Sequence, residues 1–359
     1  MKKTPLYNSH ISLNAKMTSF GGYLMPIQYD SLIEEHIAVR KNLGVFDVSH
    51  MGEFKISGSN AIDLLQYICS NDISKIPVGK AQYNYFPNET GGIVDDLIVY
   101  RLDDKDYMLV VNASNIKKDW EHIRKNNESF GAEIKDDSDQ IALLSIQGPK
   151  ALQAMQSLTD LNLNSLPYYG HAFASFAGFQ NTIIATTGYT GAGGLEIYFK
   201  SEQAEKIWDS VLEAGSSLSI KPIGLGARDS LRTEMGYCLY GNEIDETISP
   251  IAAGLGWISK PETKCINFEN IHRQKLDGTE YKLIGFIIDG RAIPRNGYNL
   301  VDKYNHKIGR VTSGTRSPIL EKGIGLGYIK TSFSSPQTKI GVIIRDKFWS
   351  AKVVNTPFI

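Results

Sequence analysis

The chain has 359 residues, 42% of them hydrophobic and 21% charged, with a formal net charge of −1. That length suggests two or three domains, and that balance suggests an ordinary globular protein. Near-neutral charge gives no electrostatic reason to expect nucleic acid or a membrane surface as the main partner. No apolar run reaches membrane-spanning length, and "MKKTPLYNSHISLNAKM" lacks the apolar core of a signal peptide. Cys69, Cys238 and Cys265 are far apart, with no CxxC or Cys/His cluster. This favours a reducing cytoplasm, with neither a disulfide framework nor a structural zinc.

Along the chain, "YDSLIEEHIAVRKNLG" reads as a helix, with Ser31 and Glu34 as a capping box and Gly44 as its stop. "GEFKISG" alternates like a strand. "SNAIDLLQYICS" is helical, with Ile62, Leu65 and Cys69 on one face. Three strands follow, "AQYNYFPN", "GGIVDDLIVYRL" and "DYMLVVNA", then helix "SNIKKDWEHIRKNN" and the short strand "AEIKDD". Helices on one face of a mostly antiparallel sheet make an α+β unit of split-βαβ type.

The polar stretch "KDDSDQ" marks a boundary near residue 138. "IALLSIQGPKALQAM" runs from strand into helix, with Pro149 at the first helical position. "QNTIIATTGYTGAGGLEIYFK" is two strands around a glycine-rich loop. Helix "SEQAEKIWDSVLEAG" has Ser201 as N-cap and Gly215 as stop. "PIGLGARDSLRTEMGYCLYG" is a loop entering a helix. From residue 281 short strands separated by turns indicate a small antiparallel barrel or sandwich.

Two features stand out chemically. The strand "GGIVDDLIVY" carries adjacent carboxylates, Asp95 and Asp96, between faces that are otherwise apolar. Asp96 shares a face with Val94, Ile98 and Tyr100, and Asp95 shares the other with Ile93, Leu97 and Val99. An ionised carboxylate is costly to bury without partners. A local alternative is an Asx-turn that leaves both aspartates solvated at the strand's start. The second feature is "GYTGAGGLE". It fails the dinucleotide pattern, because Glu196 stands where a third glycine would be and a strand follows. It is either a hairpin loop needing positive φ or a loop whose backbone approaches a flat ligand beside Glu196. "GLGAR", before a helix, is open between an anion site and a tight turn.

"TPLY", "FGGYLMPIQY", "GVFDVSHMGEF", "GGIVDDLIVY", "SIQGPKA", "GYTGAGGLE", "GLGARDSLR" and "SGTRSP" occur in this order across almost the whole chain. Together they resemble the aminomethyltransferase, or T-protein, family of the glycine cleavage system. The resemblance implies a three-domain cloverleaf around a channel holding tetrahydrofolate. Residues 1–54 and 139–280 would form a discontinuous first domain, 55–138 an inserted α+β domain, and 281–359 a barrel-like third domain. It implies transfer of the methylene carbon from the aminomethyl-lipoyl arm of H-protein to tetrahydrofolate. The products would be 5,10-methylenetetrahydrofolate, ammonia and dihydrolipoyl H-protein, with no metal or nucleotide.

Carried over residue by residue, the resemblance places Asp96 beside the reacting nitrogen and Glu196 on the pterin. A pterin presents an amino group and a ring N–H along one edge, which two carboxylate oxygens match. Arg228 would pair with Glu196 or contact the folate. Tyr83, Tyr100, Tyr168 and Tyr237 match aromatic positions, Asn112 a polar one, and Met51 a lining one. Each has a plainer alternative. The tyrosines and Met51 read equally as core, Asn112 as an N-cap, and Arg228 as a surface residue in a first helical turn. His50 reads as a structural histidine bonded to backbone, and the cysteines as small buried hydrophobes. Departures from the family pattern are Ala192 and Gly193 in the glycine loop, Tyr23 and Leu24 in "FGGYLMP", and the ending "VVNTPFI". The family often continues past that point with a basic residue near the folate, so the glutamate tail would need another cation. Relatives on the same scaffold include demethylases of small methylated sulfur or amine compounds, and folate domains of sarcosine-type dehydrogenases. A third kind is a non-catalytic iron–sulfur assembly protein, whose Lys-Gly-Cys-Tyr-x-Gly-Gln motif is missing from "KCINFEN".

Overall fold

The computed structural model describes residues 1–359. By compactness the chain divides into two units. One comprises residues 1–68, 72–84 and 96–228, the other residues 69–71, 85–95 and 229–359.

The first unit contains a six-stranded sheet in the order His171–Phe176, Phe179–Ala185, Gly194–Lys200, Ile141–Gln147, Gly44–Asp47, Lys221–Pro222. Its strands are antiparallel except the last pair. Leu144, Ile146, Leu195 and Ile197 from its central strands bury against Trp208, Ile207 and Val211 of helix Ala204–Gly215. A five-stranded sheet runs Lys80–Pro87, Ile93–Asp103, Asp106–Val111, Gly52–Ser57, Glu133–Asp136. Helices Ala61–Ile68 and Ile116–Asn127 accompany it, which gives the α+β character expected. In the first of these helices Leu65 is buried as expected, as is Cys69 just after it, while Ile62 is only half-buried and Ala61, Leu64 and Ile68 complete the buried face.

The second unit contains a closed six-stranded barrel, so of the two all-β alternatives the barrel is correct. Its order is Tyr281–Ile288, Gly323–Lys330, Lys307–Arg316, Asn299–Val301, Lys339–Ile344, Lys347–Val354. Closure leaves no unpaired edge. Ile284, Phe286, Leu300, Ile308, Val311, Ile329 and Val342 fill the inside. No helix of the protein is long and apolar enough to cross a membrane.

Several local signals resolve differently from their sequence reading. Helix Leu32–Lys41 begins after Ser31, but the Ser31 side chain makes no capping bond, and Glu34 instead accepts Lys221 Nζ at 2.9 Å. Gly44 does not stop this helix. It opens a strand, where a Cβ would lie 2.3 Å from Ile223 and 2.9 Å from Val39, so close packing explains the glycine. Pro149 precedes helix Ala151–Met155 by two residues. Ser201 starts a 3₁₀ turn, and Gln203 occupies the N-cap position of helix Ala204–Gly215 without a side-chain capping bond.

Candidate functional site

Strand Ile93–Asp103 contains both aspartates, which removes the Asx-turn alternative. Its odd face is closed, with Ile93, Asp95, Leu97 and Val99 all buried. Its even face is partly open at Asp96 and Ile98. Asp96 is therefore the acid that a ligand can reach. Tyr83, on strand Lys80–Pro87, donates its hydroxyl to Asp96 Oδ2 at 2.8 Å. Asn112 donates Nδ2 to Oδ1 at 2.8 Å and to the Asp96 carbonyl at 3.1 Å. Asn112 directly follows strand Asp106–Val111, whose Val111 faces Leu97, and this register brings the amide over Asp96. Although Asn112 occupies the N-cap position of a 3₁₀ turn, its side chain makes no capping bond. The three residues thus form one set, with Asp96 held by two donors.

Four residues further along the same face, Tyr100 is buried. Its hydroxyl lies 2.8 Å from Thr187 Oγ1 and 2.9 Å from the Tyr198 hydroxyl. Thr187 in turn donates to Glu196 Oε2 at 2.5 Å. Thr187 has one hydroxyl proton, so its oxygen accepts from Tyr100, whose own oxygen is left to accept from Tyr198. The chain of donors ends on the Glu196 carboxylate. Burial raises the Glu196 pKa, opposed first by the Thr187 bond and then by the Arg228 charge, with smaller contributions from the nearby Ser145 and Tyr198 hydroxyls. Burial and the nearby Glu196 charge push the Tyr100 phenol well above its ordinary value, so it stays a donor.

Glu196 lies on strand Gly194–Lys200, opposite Ser145 and Ala185. The glycine loop before it closes an antiparallel hairpin, with positive φ at Gly191, Gly193 and Gly194. Gly188 is required for space, since a Cβ there would sit 2.1 Å from Gln147 Oε1. Gln147 pins the loop by donating to the Thr187 carbonyl and accepting from Thr190 Oγ1 at 2.9 Å. The hairpin reading is therefore correct, and it is also the device that fixes Thr187 and Glu196. Arg228 stands in the first turn of helix Leu225–Met235, its guanidinium 4.5 Å over the Tyr189 ring. Glu35, fully buried, accepts the Gly224 N–H at 2.8 Å and so anchors the entry to that helix.

The structure does not bring every candidate into this set. Met51 is half-buried in the turn after Val48, whose carbonyl accepts its N–H. Tyr168 is 79% exposed, with its ring against Tyr169. It is Tyr169 that lies close enough to Tyr100 to affect its ionisation. Tyr237 belongs to the second compact unit, its N–H bonded to the Arg232 carbonyl.

His50 differs from its reading as a backbone-bonded histidine. Its ring is buried against Phe20 and Tyr23, and Nδ1 has no partner. Burial and the Arg228 charge lower its pKa to about 4, so it is neutral. His171 carries no sequence signal, yet it is buried, edge-on to Tyr100 at 5.4 Å, with neither ring nitrogen partnered. No group of three or more His, Cys, Asp or Glu is placed to hold a metal ion.

Comparison with known proteins decides the family. The GCVT N-terminal domain matches residues 6–263, and the glycine cleavage T-protein C-terminal barrel domain matches residues 282–359. The chain belongs to the glycine cleavage T-protein family. Aminomethyltransferases of Flavobacterium psychrophilum and Bacteroides fragilis are each 54% identical to it, over 100% of this chain and 99% of theirs. The crystal structure of the glycine cleavage system aminomethyltransferase T of Bartonella henselae superposes with a TM-score of 0.93 at 31% identity, covering 100% of this chain and 98% of that one. The T-protein family read from the motif series is thus the family found. The expected enzyme class is the one these relatives are named for.

Proposed function

We propose that this T-protein family member is the aminomethyltransferase of the glycine cleavage system, working on tetrahydrofolate and a lipoylated H-protein. It moves the methylene carbon of the aminomethyl-lipoyl arm to tetrahydrofolate, giving 5,10-methylenetetrahydrofolate, ammonia and dihydrolipoyl H-protein. One observation carries the reading. A single strand face presents a half-open carboxylate, Asp96, oriented by Tyr83 and Asn112. The same face carries, at Tyr100, a hydroxyl chain that ends on Glu196. Four residues of strand separate the two positions by about 13 Å. One flat, elongated ligand spans such a distance.

Residues of this chain fit a folate. Glu196 has lone pairs left after accepting from Thr187, and two acceptor oxygens suit two donors on a pterin edge. Arg228 lowers the cost of keeping that carboxylate charged. Tyr169, half-buried and close to Tyr100, supplies aromatic surface. The folate supplies the nitrogen that takes up the one-carbon unit. Asp96 stands where positive charge on that nitrogen is stabilised, and its carboxylate accepts the proton that the nitrogen loses. Tyr83 and Asn112 keep the carboxylate in one rotamer so that this costs no reorganisation. Tyr237, Tyr168 and Met51 are assigned to the same site by the family motif alone.

Two further parts belong to the proposal. The division into residues 1–54 with 139–280, 55–138 and 281–359 is supported by sheet composition. The five-stranded sheet draws on residues 52–136, and the six-stranded sheet on residues 44–47 and 141–222. Residence in the cytoplasm is supported by Cys69, Cys238 and Cys265, which are free and buried.

A donor comparison tests the function. Ammonia and methylenetetrahydrofolate are measured with aminomethyl-loaded H-protein, and methyltetrahydrofolate in parallel with free methylated amines and thioethers. Turnover confined to the loaded H-protein is expected. Turnover with a free methyl donor and none with H-protein would make the chain a demethylase on the same scaffold.

A further inference from the structure

In the second unit a cavity of about 460 Å³ opens on the outer face of the barrel. That volume is within the range of small-molecule sites. Three adjacent strands form its floor, with Tyr281 from Tyr281–Ile288, Tyr328 and Lys330 from Gly323–Lys330, and Lys307 and Arg310 from Lys307–Arg316. Strand alternation explains their direction. Ile284, Phe286 and Ile329 fill the barrel, so Tyr281, Tyr328 and Lys330 face outward. The facing wall is the segment from Thr247 to Ala252. It is tied down by the Leu283 N–H to the Ala252 carbonyl at 2.8 Å and by the Tyr328 hydroxyl to the Glu243 carbonyl at 2.7 Å. Asp245 shapes this wall by accepting from Thr247 N and Oγ1, each at 2.7 Å, and from Ile248 N at 3.1 Å.

The charge of this cavity is lopsided. Lys307, Arg310 and Lys330 all line it, and none is in an ion pair with a carboxylate. Of the nearby acids, Glu243 is paired with Arg232 at 2.7 Å and accepts from Thr312 at 2.5 Å, while Asp245, bonded to neutral groups of Thr247 and Ile248, keeps one negative charge at the wall against the three cations. Lining cations with one sign and low-dielectric walls focus a positive potential into a cleft. Tyr281 and Ala252 add apolar surface to the same space.

We propose that this cavity binds a small organic polyanion, with two or more carboxylate or phosphate groups on an apolar or flexible body. Arg310 makes the forked contact that suits either oxyanion, and Lys307 and Lys330 act as point charges on a second group. The site is independent of the transferase reading, because none of its residues is part of the Asp96–Glu196 set.

Calorimetric titration of the full chain tests it, with citrate and pyrophosphate as probes and acetate as the monoanion control. Saturable one-to-one binding of at least one polyanion is expected, with acetate weaker by about tenfold or more. Arg310→Gln and the Lys307→Gln/Lys330→Gln double variant each weaken it by about tenfold, and added salt does the same. Arg310→Lys retains more binding than Arg310→Gln. These side chains are exposed, so thermal unfolding without ligand stays at the wild-type temperature. The tighter probe tells carboxylate from phosphate ligands. Failure of both probes to saturate at ~10 mM overturns the proposal, as does binding that the Gln variants leave unchanged.

Discussion

Asp96→Asn separates the charge of this carboxylate from its shape. In the native site Oδ2 accepts from Tyr83 and Oδ1 from Asn112, each at 2.8 Å. An asparagine keeps its oxygen on the Asn112 amide and turns its amide toward Tyr83, whose hydroxyl oxygen accepts as readily as it donates. Both contacts survive as neutral bonds. A charged hydrogen bond contributes roughly 1.5–3 kcal/mol and a neutral one roughly 0.5–1.5. With Asp96 half-exposed, the stability loss is about 1–2 kcal/mol, and folate affinity changes little. Catalysis loses more, because no negative charge remains to meet the nitrogen cation. Removing one preorganised electrostatic group costs on the order of 10²–10³ in turnover, or about 2.7–4 kcal/mol. Asp95→Asn makes the matched control. Asp95 is fully buried on the closed face of the strand, so it should lower the unfolding temperature more than the turnover. The assay is single-turnover formation of methylenetetrahydrofolate from loaded H-protein, with folate affinity measured on the same samples. Wild-type turnover in Asp96→Asn would refute the assigned role. So would an Asp95→Asn variant that folds normally, binds folate and is inactive.

Other consequences are equally direct. Glu196→Gln places an amide donor against pterin donors, so tetrahydrofolate affinity should fall by roughly 1.5–3 kcal/mol in calorimetry while the unfolding temperature changes little. Asp47 is buried, and burial alone would raise its pKa. Bonds from His10 at 2.9 Å and Thr4 at 2.6 Å, with the His10 charge and the Ser49 N–H, outweigh this and lower it. Its stabilisation is therefore complete above the ordinary carboxylate range and lost as pH falls through the depressed folded value. Asp47→Asn should cost about 3 kcal/mol at pH 7, and the gap to wild type should close in acid denaturation. Gly92→Ala would put a Cβ 1.9 Å from the Glu246 carbonyl oxygen. A backbone atom cannot rotate away, so this variant should lose about 3 kcal/mol of stability by denaturant titration.

Much of this architecture was legible because it rests on short-range rules. Alternation along "GGIVDDLIVY" is enough to put Asp96 with Tyr100 and Asp95 with Leu97, and burial divides the faces the same way. The glycine loop was legible as a hairpin because three of its glycines adopt positive φ. What escaped was set by long-range packing. Gly44 looked like a helix stop, and only the approach of Ile223, far away in sequence, explains it. Which way Tyr168 and Tyr169 point is not legible locally, because Tyr169 has φ of 57° and such a turn breaks the alternation that assigns side chains to faces. His50 reads locally as hydrogen-bonded, and the apolar rings of Phe20 and Tyr23 that enclose it come from another hairpin. The cation-lined cavity joins segments 247–252, 281, 307–310 and 328–330, which no local pattern links.

The fate of one carbon atom tests the central claim most directly. H-protein carrying a ¹³C-labelled aminomethyl group on its lipoyl arm is mixed with tetrahydrofolate and the wild-type chain, and the label is followed by NMR. The label is predicted to appear in the methylene bridge of 5,10-methylenetetrahydrofolate, with one ammonia released per label transferred and with Asp96→Asn slowing both together. Label that stays on the lipoyl arm, or leaves as free formaldehyde at a rate the chain does not change, would contradict the account.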